Sequence, residues 1–324
     1  MAGLRLFTGN RLEILADKLA QLLSVPLSSP LAAEVIIVQS RGMERWLSME
    51  IARCLGVCAN IRFPFPKAFM QEAFASVLGD MPAETAFTPE VMTWKIMKLL
   101  PSFLGHPGFE QIRRYLKEPA VPAFPAEGGQ DGHPVGMEND SPHSGGSLKR
   151  FQLAERIAYL FDQYLIFRPG MITAWEEGKV GRRDELWQSG LWRALAAEGG
   201  NRHPAALKEA FLRKINLPET SISALPERIS VFGISVLPRF YLEILHAISQ
   251  VLEVNLFLMN PSREFWGDIR SDRERESVVE RVRETGKDYA LSGEDLYLER
   301  GNSLLSSFGA SGREFFSLIW DFAG

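Results

Sequence analysis

Two cysteines in 324 residues are too few for a disulfide framework. As Cys54 and Cys58, four positions apart, they also fall short of the four ligands of a structural zinc site; they are read as reduced core residues. No apolar run reaches the ~18 residues that a membrane span needs. The opening MAGLRLFTGNRLEIL is interrupted by Arg5, Asn10, Arg11 and Glu13, so it is not read as a signal peptide. A surplus of positive charge is missing as well. With 36 Lys and Arg against 40 Asp and Glu the formal net charge is −4, so any contact with nucleic acid has to come from a local patch. The five histidines are scattered, and the chain holds no H-E-x-x-H, G-x-S-x-G or paired-cysteine motif. Asp162 and Asp268 are read as solvated carboxylates rather than metal ligands. The expected location is the cytoplasm.

What is present is 46% hydrophobic residues and 10% aromatics, enough for one large core or two ordinary ones. LRLF (4–7) reads as a strand, and Asn10 with Glu13 three residues later as a capping box for a helix with Leu12, Leu15, Leu19 and Leu22 on its buried stripe. EVIIV (34–38) is a continuous apolar run between helices, the pattern of a parallel strand covered on both faces. Ser40 is placed to cap the next helix, with Met43, Trp46, Leu47, Ile51 and Cys54 on its core face and Gly56 at its end. This β-α-β-α order begins a doubly wound sheet.

Pro64 and Pro66 hold the following connection extended, and Pro66 suits the first turn of another helix. The pattern is helical from Thr88 to about residue 117. Residues 118–147 carry 5 Pro and 6 Gly in 30 positions, which predicts a mobile loop. Residues 149–167 form an amphipathic helix with Leu153, Ile157, Leu160, Phe161 and Tyr164 inward, stopped by Arg168-Pro169. Strand signals return at RISVFGISVLP (228–238) and EVNLFLMNP (253–261), around a helix from Pro238. Residues 268–302 read as a charge-rich, irregular connection. The apolar ending GREFFSLIWDFAG reads as the interior of a longer chain.

The first strand–turn–helix sits where a P-loop ATPase keeps GxxxxGK[ST], but only T-G-N-R joins strand to helix here. Without the glycine-rich cradle, the lysine and the Ser/Thr for Mg²⁺, ATP hydrolysis by this segment is not expected. The stretch 39–71 differs in charge: Arg41, Arg45, Arg53, Arg62 and Lys67 against Glu44 and Glu50 leave it at +3. Arg41 and Arg45 share a helix face next to the Ser40 cap, and Gln39 ends the strand at the same crevice, where open α/β sheets take ligands. Phe65, between two prolines, is a candidate base-stacking residue. Phe69 and Phe74 are assigned to the core.

Eight blocks carry a family resemblance: VQSRGMERWL (38–47), ANIRFPFP (59–66), TWKIMKLLP (93–101), LFDQYLIFRP (160–169), LWRAL (191–195), VFGISVLP (231–238), FLMNPSREFWGD (257–268) and NSLLSSFGASGREFF (302–316). In this order they resemble the N-terminal region of the exodeoxyribonuclease V gamma subunits, the RecC family. The resemblance implies an α/β fold: a degenerate superfamily-1 helicase-like (RecA-like) parallel sheet domain with an inserted helical subdomain. The expected division is 1–80 with 220–324 as a 1A-like domain, and 81–219 as a 1B-like insertion holding the mobile loop 118–147.

It further implies a non-catalytic subunit of the bacterial RecBCD helicase–nuclease that guides single-stranded DNA from duplex ends and scans it for a Chi-like sequence. RecB-like and RecD-like partners complete the heterotrimer. ATP and Mg²⁺ are expected only in those partners, and this chain needs no cofactor. Carried onto this sequence, the DNA-contacting blocks point to Gln39, Ser40, Arg41, Arg45, Phe65, Gln71, Tyr159, Leu160, Asp162, Gln163 and Arg168. Arg41, Arg45 and Gln71 depart from the family pattern of a small polar residue, an amide and an aromatic. A structural adaptor that only docks partners, an AddB-type subunit and an enzyme with an unrecognised nucleotide or metal site are the competing readings.

Overall fold

A computed structural model describes residues 2–79, 86–117, 144–200, 202–217, 220, 224–262, 266–284 and 301–323. The chain divides into two compact units, Met1–Asp80 with Phe211–Gly324, and Met81–Ala210. The predicted loop 118–147 lies outside the described residues up to 143; from Ser144 onward the chain is already helical.

The first unit is α/β. Its elements are β1 (Gly3–Gly9), α1 (Leu12–Leu23), β2 (Glu34–Ile37), α2 (Arg41–Leu55), β3 (Ile61–Arg62) and α3 (Pro66–Leu78). The second unit contributes α4 (Pro89–Phe103), α5 (Glu110–Lys117), α6 (Ser144–Phe167), α7 (Pro169–Glu176), α8 (Leu186–Gly199) and the start of α9 (Pro204–Lys214). The chain then returns through β4 (Arg228–Phe232), α10 (Arg239–Ser249), β5 (Glu253–Met259), α11 (Asp272–Glu284), α12 (Ser303–Phe308) and α13 (Ala310–Ala323).

All strand pairings are parallel, in the order β1-β5-β4-β2-β3. Register sets Phe7 beside Phe257 and Phe257 beside Phe232, one row across three strands. The Phe7 and Phe257 rings stack at 4.7 Å, Phe232 follows at 5.9 Å, and Trp46 of α2 closes the row at 6.2 Å. On this face Leu15, Ala16 and Leu19 of α1 and Leu47 and Ile51 of α2 complete the core with Ile36 and Val38. At ~25 cal/mol per Å² of apolar area, such aromatic burial is the main force holding the helices down. At the other end of β4 lies the buried Arg228, which pairs with Glu34 and donates to the carbonyls of Leu22 and Val25 at 3.1 and 2.8 Å.

Three expectations are corrected. Asn10 does not cap α1: β1 runs on to Gly9 and the cap position passes to Arg11, whose side chain makes no capping bond. Cys54 is exposed, not core, because α2 turns it to the rim beside Asp17 Oδ1 at 3.2 Å; that hydrogen bond, then burial, pushes its thiol pKa up. The segment 268–302 is not wholly irregular, since α11 occupies Asp272–Glu284. Its start is a capping box: Ser271 N donates to Glu274 Oε2 at 2.9 Å and Glu274 N to Ser271 Oγ at 3.3 Å.

The second unit is helical among its described residues. Phe161, Trp175, Leu191, Trp192 and Leu195 are buried at its centre, with Ile96, Leu100, Ile157 and Leu165 packed around them. Leu153 and Tyr164 of α6 line this core only in part.

Candidate nucleic-acid interface

A parallel sheet puts the carboxyl ends of all its strands on one edge, so the turns after β2 and β3 emerge side by side. Val38 N donates to Pro64 O at 3.2 Å, which ties the Gln39-Ser40 turn to the Phe65 segment. Ser40 has extended backbone, and its side chain accepts from Met43 N at 3.2 Å, satisfying one of the free N–H groups of α2. At the far end Gly56 closes α2 with a left-handed φ of 82°. Replacing Ser40 by Ala should lower stability by about 1 kcal/mol, measurable as a shift of the urea midpoint at constant slope.

Gln39, Arg41 and Arg45 are exposed. Among the described residues neither arginine has a carboxylate partner, whereas other cations of the same stretch do. Arg53 bridges Asp17 and Glu50 at 2.8 Å each, and Arg62 bridges Glu72 at 2.5 Å. With Arg53 and Arg62 paired, Arg41 and Arg45 are the arginines of this stretch that have no carboxylate partner among the described residues. Arg41 is the first residue of α2, at the positive end of the helix dipole, where a cation is disfavoured by a few tenths of a kcal/mol or more. A bound anion relieves that repulsion and uses the same N–H groups.

Phe65 precedes α3 with extended backbone (φ −78°, ψ 156°) and stays 39% exposed, while Phe69 and Phe74 are 1% and 3% exposed in the core. Phe65 is thus the ring of this segment left for a ligand. Gln71 lies on the exposed side of α3, opposite Met70, Ala73 and Phe74.

One supporting residue was missed in the sequence. Gly233, directly after β4, has a φ of 66°, and a Cβ there would come within 3.0 Å of Met43 Cε. Met43 belongs to the first turn of α2, so Gly233 leaves room for the helix end that carries Arg41. The signal was its place after an apolar strand run, where a glycine marks an abrupt change of backbone direction.

The remaining candidates belong to the second unit. On α6, Tyr159, Asp162 and Gln163 are spaced i, i+3, i+4 and share a face. Tyr159 is 60% exposed; Leu160, Asp162 and Gln163 are half-buried. Arg168 joins α6 to α7: its N–H donates to Tyr164 O at 2.9 Å, and its carbonyl accepts from Met171 N at 3.0 Å. Its exposed guanidinium lies over the Tyr164 ring, 5.7 Å from the centroid. The two sets of candidates are each coherent within their own unit.

No group of three or more His, Cys, Asp or Glu side chains suited to a metal ion occurs among the described residues, and no helix among them is long and apolar enough to cross a membrane.

The family model described as RecC, N-terminal domain, matches residues 4–323. The chain is 33% identical over 340 residues to the RecBCD enzyme subunit RecC of Escherichia coli (strain K12), covering 98% of this chain and 28% of that protein. To the RecBCD enzyme subunit RecC of Haemophilus influenzae it is 32% identical over 359 residues, covering 97% and 30%. To that of Mycobacterium tuberculosis (strain ATCC 25618 / H37Rv) it is 28% identical over 295 residues, covering 88% and 25%. The chain spans less than a third of the length of these relatives.

Proposed function

The chain belongs to the family of RecC N-terminal domains, and from this premise we propose that it guides single-stranded DNA within a RecBCD-type helicase–nuclease without itself catalysing hydrolysis. In this reading the first unit is a degenerate superfamily-1 helicase-like domain of the RecA type, drawn from 1–80 and 220–324. Residues 81–219 are the 1B-like insertion. ATP and Mg²⁺ act in RecB-like and RecD-like partner subunits, the complex works on duplex ends in the bacterial cytoplasm, and the guided strand is scanned for a Chi-like sequence.

The observation that carries the reading is the pair Arg41 and Arg45. Both are exposed and without carboxylate partners among the described residues, and they stand on the first turns of α2 beside the half-exposed Phe65. A cation kept at the unfavourable end of a helix, a second one turn further on, and a part-exposed ring between two prolines match what a single strand offers: phosphates at intervals and a π-face on every base. The absent P-loop lysine supports a role in holding DNA rather than in consuming ATP.

The test is fluorescence anisotropy of labelled single-stranded oligonucleotides over a salt series, with the Arg41→Ala/Arg45→Ala double variant as comparison. Loss of two phosphate contacts should flatten the plot of log K against log salt by about 1.4, at ~0.7 per contact on a single strand. Stability should be unchanged or slightly raised, because the substitutions remove a repulsion and break no ion pair. Binding with the same salt slope in both proteins would move the strand away from α2 and favour the adaptor reading.

A further inference from the structure

We propose that Tyr164 is the positioning residue for Arg168, fixing its guanidinium so that the N–H edge is presented to a bidentate acceptor on nucleic acid; this rests on the reading of Arg168 as a DNA contact. A free surface arginine samples many rotamers, and a two-point hydrogen-bonded pair has to freeze them. Here much of that ordering is already done. The backbone is pinned from both sides, Arg168 N to Tyr164 O at 2.9 Å and Ile172 N to Arg168 O at 3.3 Å, with Pro169 restricting the residue before it.

At the other end of the side chain, Arg168 Cζ stands 5.7 Å from the Tyr164 ring centroid, within the range of cation–π attraction. Tyr164 does not move freely itself. Its ring meets Trp175 at 5.9 Å and 79°, and Phe161 at 6.5 Å and 45°, and both partners are buried, at 1% and 0% exposure. An arginine held against a ring through the flat face of its guanidinium keeps its in-plane N–H donors for another group. Among the described residues no carboxylate uses them. The acceptors that fit such a fork are the paired oxygens of a phosphate or the O6/N7 edge of guanine.

The full 324-residue chain is titrated with two labelled single strands of equal length, one of thymine only and one containing guanine. Tyr164→Phe, Tyr164→Leu, Arg168→Ala and the double variant Tyr164→Leu/Arg168→Ala are compared with the parent. Arg168→Ala should weaken binding about tenfold. Tyr164→Phe keeps the ring and should stay within about twofold, while Tyr164→Leu should lose about two- to fivefold. The double variant should bind no more weakly than Arg168→Ala. Equal losses on both strands identify the phosphate as acceptor, and losses confined to the guanine strand identify the base edge; either supports the positioning role.

Two results overturn it: a Tyr164→Leu loss that persists undiminished in the Arg168→Ala background, or no Tyr164→Leu loss where Arg168→Ala has one. An Arg168→Ala variant that binds like the parent, or a parent that binds neither strand, removes the DNA contact itself and the inference with it.

Discussion

Replacing Arg228 by Met should destabilise the α/β unit by roughly 3–5 kcal/mol, more than any surface substitution in this chain. The side chain is 7% exposed, and all three of its guanidinium nitrogens donate hydrogen bonds. It pairs with the Glu34 carboxylate across the β2–β4 junction and donates to Leu22 O, in the last turn of α1, and to Val25 O, just past its end. Methionine fills part of the volume but leaves Glu34, itself only 14% exposed, as an uncompensated charge. Removing both partners, Arg228→Met/Glu34→Met, should cost clearly less than the single change, because the stranded carboxylate goes with its cation. Urea denaturation of the two variants decides the matter. A single-variant cost below about 1 kcal/mol would mean that water reaches Glu34 and the pair acts like a surface bridge.

None of this was legible in RISVF, where Arg228 looks like the polar boundary of a strand. Periodicity reports which residues are buried together along one element; it does not report which distant element supplies a carboxylate. The same limit explains Cys54, which falls on the apolar stripe of α2 by spacing yet meets the Asp17 carboxylate of α1 and solvent. Signals of short range were more reliable. Ser40, Gly56 and Pro66 act as caps and first-turn residues because their effect depends on their own backbone geometry. The S-x-x-E box at Ser271–Glu274 was of the same kind and was overlooked under the high charge of the segment.

For the candidate site the legible part is the Gln39–Arg45 turn, since strand, cap and helix are contiguous in sequence. Its charge was overestimated. Net charge counts Arg53 and Arg62, but Asp17 lies 36 residues from Arg53 in sequence, and the pairing that neutralises it exists only once α1 and α2 pack. Gly233 and Tyr164 were passed over for another reason: each acts through a neighbour, Met43 or Arg168, so neither carries binding chemistry of its own that a motif would announce.

In the helical unit the largest effect belongs to Trp192, where Trp192→Ala should cost about 3–5 kcal/mol and lower the melting temperature by roughly 10 °C or more. The indole is fully buried, with rings of Phe161, Phe87 and His203 at 5.4, 5.6 and 5.3 Å, so its loss opens a cavity lined by those three rings. Its N–H also donates to Glu176 Oε1 at 2.9 Å, the oxygen that His203 Nε2 approaches to 2.7 Å. His203 Nδ1 accepts from Ala206 N at 3.3 Å, which leaves Nε2 to carry the proton toward the carboxylate. Burial works to raise the Glu176 pKa, but the His203 bond and attraction and the Trp192 bond outweigh it and hold the group below its ordinary 4.5.

A carboxylate whose folded pKa is depressed contributes stability that is present above 4.5 and is lost as pH falls through the lower folded value. Trp192→Phe separates the two roles of the indole. The ring core is largely kept, one donor to Glu176 is removed, and the stability that is lost on acidification below 4.5 should be smaller than in the parent, so that the two curves converge in acid. Melting both proteins from neutral pH into the acid range tests this. Parallel curves, offset by the same amount at every pH, would show that the indole acts by packing alone and that His203 suffices to keep Glu176 ionised.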